Sequence, residues 1–233
     1  MRVTVSTSLA VLLFCASLFG QAASSGNQPQ TFHVKGTITD SLGAVIYGVK
    51  VTFQNEQPSK TVTTNNVGVY EADLPLGDYT MTARSRGFRF YRRPLFRVAS
   101  PINVRFDIVL PVEKIVDRIV VPTGTEPPSY YGEEYFSVPS KDGVPFQLYI
   151  RYGGLRSTTG ETYDYKGDKT KYGDPVFVAY NLFSLQADRV IYDMKERTIK
   201  ASGNVVAANE SGATQRADSM IFKIENGKVA LLR

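Results

Sequence analysis

The chain has 233 residues, 42% hydrophobic and 21% charged, which fits one or two packed domains and excludes a disordered chain. Its net charge of +5 suits an acidic surface partner, and no nucleic-acid partner is expected from so mild an excess. With one cysteine and one histidine, the chain lacks the residues for a disulfide framework, a thiolate cluster or the His/Glu ligand set of a zinc peptidase, so no metal and no cofactor is expected.

The first element in chain order reads as an export leader. Arg2 gives a thin positive start, Val3 to Phe19 is mostly apolar, and Gly20-Gln21-Ala22 puts small residues where a signal peptidase reads them. Cleavage is predicted after Ala22, which places the mature chain in the periplasm or outside the cell. Cys15 follows Phe14, a residue too bulky for a lipoprotein signal, and it leaves with the leader. No other stretch approaches the roughly 20 apolar residues that cross a bilayer, so no membrane span is expected in the mature chain.

Residues 30–112 read as short strands. The 14 tyrosines and 13 phenylalanines favour pleated, half-buried surfaces. Phe32 to Thr39 alternates, and Asp40-Ser41-Leu42-Gly43 supplies turn chemistry. Val45 to Phe53 returns with an interruption at Gly48, and Asn65-Asn66-Val67-Gly68 turns again. Val69 to Ala72 leads to the turn at Leu74 to Asp78, and Tyr79 to Ala83 goes back. Ile102, Val104, Phe106, Ile108 and Leu110 alternate with Asn103, Arg105 and Asp107, which predicts one strand with a single buried face. Strands at this spacing predict an immunoglobulin-like β-sandwich.

Four segments carry a resemblance. Gly36 to Asp40, Gly43 to Val51, Thr61 to Tyr70 and Leu74 to Tyr79, closed by Arg86-Gly87-Phe88, resemble the carboxypeptidase regulatory-like (transthyretin- or prealbumin-like) domain over residues 32–110. The resemblance implies an accessory fold without peptidase chemistry, with Tyr70 and Tyr79 on the inner face. Its wider superfamily includes starch-binding-like domains, which makes saccharide binding a family-level possibility.

Residues 113–143 read as a connector broken by Pro122, Pro127, Pro128 and Pro139, with Ile115 to Val121 as a last strand. Residues 144–233 read as a second β domain. Pro145 to Tyr152 and Val176 to Tyr180 are its first strands, and the polar stretch between them, 153–174, is expected to be a mobile or functional loop. From Leu182 onward Ala187 to Asp193 aligns with Ala217 to Lys223, and Thr198-Ile199 with Lys228-Val229, at an offset of 30 residues. A fixed period predicts stacked β units, here a short β-roll or β-jellyroll. Leu185 to Asp193, Ile199 to Val205 and Arg216 to Phe222 resemble the organic-solvent-tolerance-like family, whose known members bridge the periplasm in lipopolysaccharide transport. That resemblance implies a lipid or lipopolysaccharide ligand. A stacked β unit ending at Leu231-Leu232-Arg233 is expected either to leave an open β edge where an envelope protein docks or to be covered by the 153–174 stretch.

Two groups of candidate site residues stand out. Arg84, Arg86, Arg89, Arg92, Arg93 and Arg97 put six guanidinium groups into 14 residues, and arginine binds phosphate or carboxylate bidentately. A solvated face with Phe88, Phe90 and Tyr91 turned inward explains the same pattern. Tyr130, Tyr131 and Tyr135 could stack on sugar rings, or pack between the domains. His33 has no histidine or cysteine partner and is expected to be structural. Asp164, Gly167, Asp168 and Asp174 lack the spacing of an EF-hand loop. No phosphate loop, serine elbow or acid/base cluster is present in the sequence, so no catalysis is expected. The expected function is a non-catalytic exported binding or assembly protein of the envelope, with a carbohydrate-binding accessory module as the alternative.

Overall fold

The computed structural model describes residues 30–55, 58–113, 132–141, 143–168 and 174–232. The predicted leader 1–22, the predicted strand 115–121, Tyr130 and Tyr131 lie outside these residues. Among the described residues every helix or strand is a strand, as the all-β reading requires.

The first unit is a sandwich of two sheets. One has the order β4 (Val69–Pro75), β1 (Thr31–Thr39), β7 (Asn103–Arg105), and β8 (Ile108–Val109) also pairs with β1. The other runs β3 (Lys60–Thr63), β2 (Lys50–Gln54), β5 (Gly77–Arg84), β6 (Tyr91–Val98). Alternate residues of each strand fill the space between the sheets, among them Val34, Val51, Phe53, Met81, Phe96 and Val104. Tyr70 and Tyr79 point inward as expected and are almost wholly buried. The Tyr70 hydroxyl donates to the Phe106 carbonyl at 2.7 Å. Gly36 lies beneath that carbonyl, and any Cβ there would stand 1.9 Å from it, so the position admits no side chain. The alternation read over 102–110 is real in burial but divides into β7 and β8. Both run parallel to β1, and Phe106 donates between them to the Lys35 carbonyl at 3.0 Å.

The second unit is a single ten-stranded sheet. Its strands are β9 (Gly132–Val138), β10 (Phe146–Tyr152), β11 (Arg156–Thr159), β12 (Thr162–Lys166), β13 (Val176–Tyr180), β14 (Phe183–Ala187), β15 (Arg189–Asp193), β16 (Thr198–Ala208), β17 (Thr214–Glu225) and β18 (Lys228–Leu231). β14 and β15 pair in succession along one edge of β16, with a corner at Asp188. Opposite this corner β16 carries a bulge at Gly203-Asn204, where Asn204 donates to the Asp188 carboxylate at 3.1 Å. The corner rolls the sheet until its ends meet. Phe136 of β9 packs on Tyr163 of β12 at 4.7 Å, and Glu134 of β9 takes Arg156 of β11 at 2.6 Å and the Tyr165 hydroxyl at 2.7 Å. The enclosed core is filled by Leu148, Ile150, Val178, Tyr180, Val190, Tyr192, Ile199 and Phe222.

Three expectations change. The second half of the predicted connector is strand β9, because Tyr135, Phe136 and Val138 pair against β10. The polar stretch 153–174, expected to be a loop, contains the hairpin β11–β12, whose threonines and tyrosines suit strands. The 30-residue offset does not generate stacked coils. Val190 and Met220 flank Ala201, and Tyr192 and Phe222 flank Ile199, so the repeated segments are alternate strands of one meander.

The two units share a core. β10 and β13 are covered on both faces, which explains why burial does not alternate through residues 148–152 and 176–180. Leu148, Ile150 and Val178 enter the roll, while Tyr149, Phe177 and Ala179 join the sandwich core. Arg93 is wholly buried there and donates to the carbonyls of Asn181, at 2.8 and 3.2 Å, and Phe183, at 2.8 Å. Asn181, at a positive φ of 48°, accepts from the Arg97 amide at 2.9 Å and donates to the Gly227 carbonyl at 2.9 Å.

Asn181→Ala removes both side-chain bonds and leaves a strained φ, so a loss of about 2–4 kcal/mol is expected in chemical denaturation; an unchanged midpoint would contradict this role. In the roll, Arg189 donates to both oxygens of Asp164 at 2.8 and 2.7 Å and holds that carboxyl below the usual aspartate range. A lowered folded value means that the stabilisation is present above about pH 3.9 and is lost as the pH falls through the folded value. NMR titration is expected to give Asp164 a midpoint below the ordinary one, returning to it in Arg189→Gln. A midpoint indifferent to Arg189 contradicts the assignment.

Candidate functional site

The outer face of the β2–β5–β6 sheet carries the exposed part of the arginine cluster. Inward positions on these strands are taken by Val51, Phe53, Met81, Ala83, Tyr91 and Arg93. The alternate positions therefore turn outward, and they are Lys50, Thr52 and Gln54 on β2, Thr82 and Arg84 on β5, and Arg92 on β6. Register places Lys50 opposite Arg84 and puts Thr82 between Thr52 and Arg92. With Phe90 they line a cavity of about 530 Å³.

Aromatic rings hold the guanidinium groups in place. The Arg84 Cζ lies 4.3 Å from the centre of the Phe90 ring. The Arg92 Cζ lies 6.0 Å from the Tyr135 ring of β9, which packs on Tyr149 at 5.1 Å. Burial raises the Tyr135 phenol above its ordinary pKa, Glu133 adds to the rise, and Arg92 opposes it. Among the described residues no carboxylate forms an ion pair with Lys50, Arg84 or Arg92. Like charges directly across a strand pair destabilise a sheet, so the Lys50–Arg84 pair is costly without an anion nearby.

The other arginines serve the fold. Arg93 is buried against Phe106, its Cζ 3.9 Å from the ring, and its bonds go to backbone carbonyls. Burial lowers its pKa, an effect opposed by Tyr91 and Tyr70. Arg97 holds Asp78 with bonds of 2.7 and 2.8 Å. Arg89 lies 3.5 Å from Asp174, which also pairs with buried Arg151 at 3.1 Å. Burial raises the Asp174 pKa even so, against the pull of Arg151 and then Arg89. Arg86 is exposed in the β5–β6 turn and does not line the cavity. The six arginines therefore do not form one anion site. Alternation along β6 sends Arg92 out and Arg93 in, and the junction claims Arg89 and Arg97.

Of the three candidate stacking tyrosines, Tyr135 adjoins this face. Lys50, Thr52, Gln54, Thr82 and Phe90 also line this cavity, and none of them stands out in the sequence as a candidate. The polar alternate positions of Lys50-Val51-Thr52-Phe53-Gln54 were the available signal. His33 pairs with Asp73 at 2.8 Å on the other sheet. Among the described residues no group of three His, Cys, Asp or Glu is placed to hold a metal ion, and no helix is long and apolar enough to cross a membrane.

A search of curated proteins finds no match to the chain. Solved structures with a similar run of strands include a DUF3823 family protein from Parabacteroides merdae, at 10% identity and a TM-score of 0.29, covering 87% of this chain and 98% of that one. A Bacteroides uniformis protein named for carbohydrate binding has 9% identity and a TM-score of 0.31, with 84% and 100% covered. A streptococcal ancillary pilin has 12% identity and a TM-score of 0.28, with 88% and 54% covered. Scores this low leave the site to be argued from its own geometry. In sequence, residues 33–111 match the family model of the carboxypeptidase regulatory-like domain.

Proposed function

We propose that the chain is a non-catalytic, exported binding protein that holds an anionic glycan on the outer face of β2, β5 and β6. The observation that carries this reading is the set of three cations, Lys50, Arg84 and Arg92, left without carboxylate partners among the described residues beside two aromatic rings. Guanidinium groups take sulfate or carboxylate bidentately. Phe90 and Tyr135 supply apolar faces for sugar rings, and Thr52, Thr82 and Gln54 supply hydroxyl and amide partners. The family match supports an accessory role for the sandwich.

Lipid or lipopolysaccharide handling gains nothing from the roll. Its interior is filled by aromatic rings in contact, including Phe136, Tyr163, Tyr192, Phe183 and Phe222, and has the packing of a core. An assembly role retains one observation: among the described residues β18 pairs only with β17, and Leu231 and Leu232 are exposed. An edge of this kind can accept a strand from an envelope protein.

Binding to heparin and polygalacturonate, measured by calorimetry at low salt, is expected to be strong, and binding to neutral amylose absent. Arg84→Ala with Arg92→Ala is expected to weaken heparin binding by at least about tenfold per charge-assisted bond lost. Arg86→Ala removes an equal charge off the site and is expected to change little. Equal losses from Arg86→Ala and Arg92→Ala would show diffuse charge attraction, and binding to amylose alone would replace the anionic ligand with a neutral one.

A further inference from the structure

The roll does not lie flush on the sandwich. A cleft of about 450 Å³ runs between the outer face of β1, β7 and β8 and the outer face of β14, β16 and β17. That volume is in the range of small-molecule sites, which favour junctions between units. Register orders one wall into rows. Gln186, Val206 and Arg216 lie side by side across β14, β16 and β17, and Ser184, Ala208 and Thr214 form the next row. Neighbouring strands stand about 4.8 Å apart, so each row places polar groups roughly 10 Å apart with a small apolar strip between them. The facing wall offers the Thr37 and Thr39 hydroxyls beside Ile108 and Val109. These walls suit a flat ring with an apolar face and a polar rim.

The charge is one-sided. Arg105 is neutralised by Asp107, whose oxygens accept from its Nε at 3.0 and 3.2 Å, and Asp107 also accepts from the Thr37 amide at 2.8 Å. Among the described residues no carboxylate pairs with Arg216. A guanidinium without a carboxylate partner at one end of a mixed wall suits an oxyanion, and a carboxylate is the one that a sugar ring of this size carries most compactly.

The cleft is held open by backbone contacts. The Arg105 amide donates to the Glu210 carbonyl at 3.0 Å and seats the β16–β17 turn on the sandwich. The Asn209 side-chain oxygen accepts from the amides of Ser211 and Ala213 at 3.1 and 2.9 Å and fixes that turn. Gly212 sits so close that any Cβ would stand 2.5 Å from the Arg105 side chain. A site shaped in advance loses less freedom when it binds.

We propose that this cleft is a second binding site, distinct from the cationic face, for a single pyranose-sized carboxylate of the uronic-acid class. Its carboxylate meets Arg216, its ring lies over Val206 and Ala208, and its hydroxyls meet Gln186, Ser184, Thr37 and Thr39. Because both units contribute walls, occupancy ties them together and raises the melting temperature.

D-galacturonate at about 10 mM, which nearly saturates a millimolar site, is expected to raise the melting temperature and shift the NMR signal of the Gln186 side-chain amide. D-galactose lacks the carboxylate and acetate lacks the ring, and neither is expected to do so. Arg216→Gln is expected to abolish the response while leaving the rest of the spectrum unchanged. The double variant Arg84→Ala, Arg92→Ala is expected to keep it. No response to galacturonate overturns the proposal, as does a response that survives Arg216→Gln, is matched by acetate or galactose, or disappears with Arg84 and Arg92.

Discussion

The buried Arg93 guanidinium and the turn it holds set the relation between the two units. Arg93 has no carboxylate partner among the described residues. Its charge is met by the carbonyls of Asn181 and Phe183 and by the face of Phe106. Moving a guanidinium out of water is expensive, and removing its partners afterwards is more so. The contact therefore persists only while the β13–β14 turn stays seated. Asn181 makes that turn a three-way joint, because it also binds the Arg97 amide of the sandwich and the Gly227 carbonyl of the β17–β18 turn. Around this joint Tyr91 packs on Phe177 at 5.5 Å, and β10 and β13 close the side of the sandwich.

This joint reaches the candidate site. β9 is hydrogen-bonded to β10, which is fixed against β6, and so Tyr135 stands beside Arg92. The cationic face is thus built from both units: the sandwich contributes Lys50, Arg84, Phe90 and Arg92, and the roll contributes one aromatic ring. The same joint leaves the cleft between β1 and β14.

Much of the sandwich was legible from the chain. The alternation of Val104, Phe106, Ile108 and Leu110 and the turn residues around Gly43, Asn65 and Gly77 map onto real strands and turns. The roll was legible in class and less so in detail. Its 30-residue offset is real, but a period says nothing about whether repeats stack or lie side by side. The hairpin β11–β12 escaped notice because its four outer residues are all exposed and carry no apolar alternation. The site was half legible. The density of arginine was visible, but the in-out phase of β6 was not. A single register step decides whether Arg92 or Arg93 meets solvent. Lys50 became a neighbour of Arg84 only through pairing between strands distant in sequence.

The most direct test of the cationic face is residue-by-residue NMR mapping on the protein during titration with a heparin oligosaccharide. The account predicts shifts concentrated at Lys50, Thr52, Thr82, Arg84, Phe90, Arg92 and Tyr135, with β18 unmoved. Shifts spread evenly over every exposed lysine and arginine, or gathered at β18, would contradict it.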